Sequence, residues 1–122
     1  MSAAGDRLQD TARRAARALP DVSHKYPFTP QLDVYKVAGK VFLIVTEDPD
    51  EQIITVKCEP EHARAHVRGY ASIPPGRYLD KRHWISLGPG PGITGRLIAD
   101  LVEDSCHLAV ERLPRRDRPG AR

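Results

Sequence analysis

The chain has 122 residues, 40% of them hydrophobic and 29% charged, with a formal net charge of +3. That length buries a core without disulfides, and the balance excludes disordered, collagenous and cysteine-framed chains. The longest apolar run, Val41–Val45, is strand-length and far short of the roughly 20 residues a membrane helix needs.

The opening residues carry no basic stretch followed by an apolar one, so the chain does not read as secreted, and the expected location is cytoplasmic. Residues 6–19, "DRLQDTARRAARAL", predict a helix. Leu8, Ala12, Ala15 and Leu19 recur at helical spacing, Arg13, Arg14 and Arg17 fall mostly off that stripe, and Pro20 stops it. The following "PDVSHKYPFTPQ" holds three prolines and reads as a connecting loop. "LDVYKV" (32–37) suits a strand, Ala38-Gly39 a tight turn, and "KVFLIVTE" a buried central strand rich in β-formers. "DPDEQ" is a polar turn and "IITVKC" (53–58) the third strand of an antiparallel meander.

At Pro60 the period changes to helical and should persist to about Arg68, with Gly69 available as a cap. "RYLDKRHWISL" (77–87) splits into two short strands around Asp80–Arg82, and alternation sends His83 and Trp84 to opposite faces, with Trp84 expected between sheet and helix. "GPGPG" (88–92) is an irregular connection. Residues 94–113 form the strongest helix: Leu97, Ile98, Leu101, Val102, Cys106, Ala109 and Leu113 make one stripe, Thr94 is the N-cap and Pro114 the stop. The resulting order is α-β(3)-α-β(2)-α, an α+β domain of two layers over residues 1–114, followed by a basic, disordered tail at 115–122. Most of the positive charge lies there: residues 112–122 hold five arginines against one aspartate, leaving the rest of the chain near neutral.

Few residues offer chemistry. His62 and His66 stand one turn apart, with Cys58 or Glu59 as a possible third metal ligand, but no fourth ligand is spaced nearby. Ser105, Cys106 and His107 are adjacent, yet neighbours on a helix diverge by about 100° and cannot act as nucleophile and base. Cys106 falls on the apolar stripe and reads as a core thiol. The glycines of "GPGPGITG" match neither a P-loop nor a dinucleotide fingerprint. The expectation is therefore no catalytic residue, no metal and no cofactor. Candidate anion contacts are Arg77, Lys81, Arg82 and His83 in the hairpin, Arg64 and Arg68 on the middle helix, and the arginine-rich tail.

"YKVAGKVFLI", "VKCEPEHA", "PPGRYLDKRHWISL" and "LVEDSCHLAVERLPRR" together resemble the MmcQ/YjbR family over about residues 17–116. The resemblance implies the fold of that family, related to CyaY-like and secretion-chaperone-like folds, and a DNA-binding role in which two hairpins act as a double wing. It would place one wing tip near Ala38–Lys40 or the acidic Asp48–Gln52, and the other near Asp80–Arg82. DNA contact then rests on Lys81, Arg82 and His83, supported by Arg77 and Lys40. The alternative is a non-enzymatic, chaperone-like module that binds a protein or peptide, or pairs as a homodimer.

Overall fold

The computed structural model describes residues 3–26, 30–48, 50–73 and 82–111. The N-terminal helix, α1 (Ala3–Arg17), is followed by four strands: β1 (Val22–Lys25), β2 (Leu32–Val37), β3 (Lys40–Asp48) and β4 (Glu51–Lys57). Helix α2 (Pro60–Gly69), strand β5 (Trp84–Leu87) and helix α3 (Gly95–Glu111) complete the order. All neighbouring strands are antiparallel, and the sheet runs β1-β2-β3-β4-β5 in chain order.

The α+β class and the helix-covered antiparallel sheet agree with the sequence reading, but the strands are distributed differently. Val22–Lys25, expected as loop, is a strand that pairs Val22 with Val37 and Lys25 with Val34. Its sequence hides this because an edge strand needs only one neighbour and no buried face: Ser23, His24 and Lys25 are all exposed. Backbone pairing with β2, not side-chain preference, makes it a strand. On the C-terminal side of α2, β5 is the described strand; the other expected arm of that hairpin, and the tail, lie outside the described residues.

Helices α1 and α3 pack against each other and cover one face of the sheet. Leu8, Ala12 and Ala16 of α1 meet Ile98, Leu101, Val102, Cys106 and Ala109 of α3 over Tyr35, Leu43, Val45, Ile54, Val56, Ile85 and Leu87. The alanines let the helix backbones approach closely. The opposite face of the sheet is buried as well, at Val34, Ile44, Thr46, Thr55 and Ser86, so β3 is covered on both sides from Phe42 to Thr46. Thr94 caps α3, accepting a hydrogen bond from the Leu97 amide at 3.1 Å. Gly69, expected as a left-handed cap, is instead the last residue of α2, and the chain leaves through an extended Tyr70 (φ −134°). No helix among the described residues is long and apolar enough to cross a membrane.

The β2–β3 connection is a two-residue turn in which Ala38 (φ 49°) and Gly39 (φ 79°) both take positive φ. That is the hairpin geometry whose twist matches the flanking strands. A second glycine is fixed by proximity. Gly90 sits against Ser72, so a Cβ there would come within 2.9 Å of the serine Cβ. The Gly88 amide donates to the Ser72 carbonyl (2.8 Å) and the Ser72 hydroxyl to the Pro89 carbonyl (3.2 Å), tying the exit of α2 to the exit of β5.

Side chains repair the sheet at two points. The register of β2 on β3 shifts between Tyr35 and Lys36, which oppose Leu43 and Val41, so Phe42 is the extra residue of a bulge. Next to it, the buried Ser105 hydroxyl of α3 donates to the Phe42 carbonyl (2.6 Å) and accepts from the Lys57 amide (2.7 Å). A helix side chain thus stands where a direct β3–β4 hydrogen bond would be. Gln9 of α1 works similarly, its amide donating to the carbonyls of Thr46 and, at 3.1 Å, Ile53.

Candidate functional site

The ladder decides which of the predicted contacts share a surface. β2 ends and β3 begins at the pair Val37–Lys40; β3 meets β4 at Leu43–Val56; β4 meets β5 at Lys57–Trp84. The start of β3, the end of β4 and the start of β5 therefore lie at one end of the sheet, on adjacent strands about 4.8 Å apart. Lys40, Lys57, Arg82 and His83 come to this end on two faces: Lys40 pairs with the core-facing Val37, whereas Lys57 lies with Trp84 on the opposite face. Lys40 and Arg82 are exposed and His83 is half-buried, its carbonyl accepting the Cys58 amide at 2.7 Å. Glu59, also exposed, follows Cys58 directly, and Asp104 and Glu111 of α3 border the same cleft as Lys57. Arg64 and Arg68 are exposed one turn apart on α2, which packs beside β5. Arg77 and Lys81 lie outside the described residues.

Trp84 does not pack between sheet and helix. It shares the face of Lys57 and Ser86, away from Ile85 and Leu87, which enter the core. It is half-buried, with the Lys57 ammonium 6.0 Å from the ring centroid, at the limit of a cation–π contact. The β5 side chains that enter the core are Ile85 and Leu87, not the ring of Trp84.

The other candidates resolve simply. Cys58 and Cys106 are buried at 6% and 4% exposure. Burial pushes the Cys58 thiol up to about 11, with Asp104 and Glu59 adding to it, and burial raises Cys106 as well. Only thiolates react readily, so an aromatic disulfide reagent at neutral pH should label neither cysteine of the folded chain and both after denaturation; rapid labelling of either in the native state would contradict the burial. Ser105 is fully buried and spends its hydroxyl on backbone groups of β3 and β4. His66 is half-buried and His62 exposed; burial and the charge of His62 lower the His66 pKa. They border a cleft of about 280 Å³ between α2 and α3, with Cys58, Asp104 and His107. Among the described residues no three histidine, cysteine or acidic side chains are grouped to hold a metal ion.

A further site escaped the sequence reading. Between α1 and the β1–β2 edge lies a cleft of about 610 Å³. Its centre is Asp33, whose side chain is 2% exposed and which pairs with Arg13 of α1 (3.6 Å) and with His24 Nδ1 (2.9 Å). Arg13 also binds the carboxylate of Glu47, and the His24 ring stacks on Tyr35 with centroids 4.9 Å apart. Partial burial and a hydrogen bond with Glu47 push the Tyr26 phenol up to about 12. Burial also raises the Tyr35 phenol, with the nearby Asp33 adding to it. Arg7, Arg14 and Arg17 complete the rim. One signal was available: in "LDVYKV", alternation puts Asp33 on the same face as Tyr35 and Val37, and a carboxylate facing a core demands a cationic partner.

Comparison with known proteins agrees with this architecture. The chain is 40% identical to the Escherichia coli O157:H7 protein YbdF over 117 residues, 93% of this chain and 96% of that one. It is 29% identical to YjbR of Escherichia coli K12 over 83 residues, 68% and 70% of the two chains. A crystal structure of the Deinococcus radiodurans protein DR2400 shares the fold, with a TM-score of 0.80 at 22% identity over 88% of this chain and 83% of that one. So does a Pseudomonas syringae protein, with a TM-score of 0.67 at 22% identity over 89% and 99%. The YjbR family model matches residues 17–108, and the chain belongs to the YjbR family.

Proposed function

We propose that this protein binds duplex DNA, without catalysis, through phosphate contacts made by Lys40, Lys57, Arg82 and His83. The observation that carries this reading is their placement at one end of the sheet, Lys40 and Lys57 on β3 and β4 and Arg82 and His83 just before β5. A row of cations from neighbouring strands can follow a phosphate backbone, and such contacts position a protein without reading sequence. Arg77 and Lys81 extend the row in sequence, and Arg64 and Arg68 flank it on α2. Trp84, stiffened by its core-facing neighbours, offers an apolar ring beside the cations.

Mobility shift at rising salt tests the proposal. Log affinity should fall linearly with log salt, with a slope of about −0.9 per phosphate contacted. Lys40→Glu with Arg82→Glu should weaken binding across sequences and flatten the slope by about two units. Affinity indifferent to both salt and substitution sinks the reading. One observation favours a second reading: β1 is a short edge strand with exposed side chains and β2 on one side, an edge to which an extended peptide or a second copy could add. Light scattering of the purified chain would then show a dimer, or a peptide-bound species, whose stability ignores the charge reversals.

A further inference from the structure

The geometry points to a second binding site: we propose that the cleft between α1 and the β1–β2 edge takes a small phosphomonoester of mononucleotide size. The cleft and the proposed DNA surface are separate, the first along β1, β2 and α1, the second at the β3–β5 end.

The first argument is charge. Asp33 and Glu47 at the floor are engaged by Arg13, and Asp33 also by His24. The rim is not balanced in this way. Arg7, Arg14 and Arg17 follow one side of α1, and among the described residues none of the three forms an ion pair, while Asp10 is the only rim carboxylate and approaches Arg13 at 3.8 Å. Arg14 and Arg17 are i, i+3 neighbours, so their side chains start about 5–6 Å apart and repel. A surface that holds like charges together beside a cavity is stabilised by an anion between them. The planar guanidinium fork suits phosphate, which it grips with two parallel hydrogen bonds.

The second argument is shape and remaining chemistry. About 610 Å³ lies within the range of small-ligand sites and is far more than an inorganic anion fills. Tyr26 is 46% exposed, the only exposed large hydrophobic side chain among the described residues, and it lines this cleft. Its ring gives the organic part of the ligand a flat face, and Thr11 supplies a hydroxyl. His24 commits only Nδ1 to Asp33. Beneath, the buried Tyr35 hydroxyl lies beside Asp33 and in the field of Arg17 and Arg13. The floor carboxylates keep the phosphate at the rim, between Arg14 and Arg17, so the base would lie toward Tyr26.

Calorimetric titration with adenosine 5′-monophosphate, adenosine and inorganic phosphate, each at matched ionic strength, tests the proposal. The monophosphate should bind, and Arg14→Glu with Arg17→Glu should weaken it by about tenfold or more, as loss of a bidentate phosphate contact does. Both residues are exposed, so the fold should survive; Arg14→Gln with Arg17→Gln provides the milder pair. Lys40→Glu with Arg82→Glu, which tests DNA binding, should leave monophosphate affinity unchanged. The proposal is overturned if the monophosphate produces no heat beyond the salt control, if adenosine binds as tightly, if inorganic phosphate binds as tightly, or if the α1 variants abolish duplex DNA binding while sparing the monophosphate.

Discussion

Replacing Arg13 by alanine is expected to cost about 3 kcal/mol of folding stability, the lower part of the range for breaking a buried pair, because the guanidinium itself reaches solvent. Its side chain is 19% exposed, whereas that of Asp33 is 2% exposed. The substitution therefore leaves a carboxylate under the helix layer with His24 alone, and frees Glu47 beside it. The cost belongs to the stranded charge more than to a lost attraction. It follows that Arg13→Ala with Asp33→Asn should be less damaged than the two single losses summed, by about 1–3 kcal/mol in a double-mutant cycle. Denaturant unfolding of the four proteins measures this. A single substitution that is silent, or a cycle without coupling, would show that the pair holds nothing in place.

Ser105→Ala should cost about 2–4 kcal/mol although it removes one oxygen atom. That oxygen serves two backbone groups, the Phe42 carbonyl and the Lys57 amide, and each buried group left unpaired costs about 1–3 kcal/mol. The strands cannot close the gap, since Phe42 is held by the bulge and Lys57 leads at once into Cys58 and α2. Amide exchange gives a local readout: the Lys57 amide should lose protection more than its neighbours Val56 and Thr55. Stability within about 0.5 kcal/mol of the parent with that amide still protected would mean that water or strand movement replaces the hydroxyl.

These two residues mark how far the sequence could be read. The long elements were legible because each buries a stripe of its own: Leu8 and Ala12, the run through β3, and Ile98 to Ala109 declare their period without help from the rest of the chain, although on α1 it is Ala16 that is fully buried, while Ala15 and Leu19 are partly so. β1 was not, because its order comes from β2 and its side chains face water. Ser105 was noticed for its place beside Cys106 and His107, which suggested chemistry; its role depends on a bulge 63 positions earlier that no local pattern announces. The candidate site was legible in part. Lys40 and Arg82 could be named as exposed cations, but their shared end of the sheet depends on register, and Lys57 was passed over as an ordinary strand residue. The α1 cleft required the helix to lie across β2, which brings Arg13 onto Asp33; each residue alone looked like a solvated charge.

The "GPGPG" segment carries a consequence for how this chain tolerates change in length. Three glycines and two prolines look like a spacer, the place where an engineer would splice a tag or split the protein. Instead the segment lies flat against the turn after α2, held through Ser72 to Gly88 and Pro89, with no room for a side chain at Gly90. Gly90 is needed for thinness and Gly92 for its φ of 80°, and the clasp couples the position of α2 to the start of α3. The Ala38–Gly39 turn is limited in the opposite way: a Cβ on Gly39 would meet nothing within 4 Å, and what restricts the position is its φ of 79°.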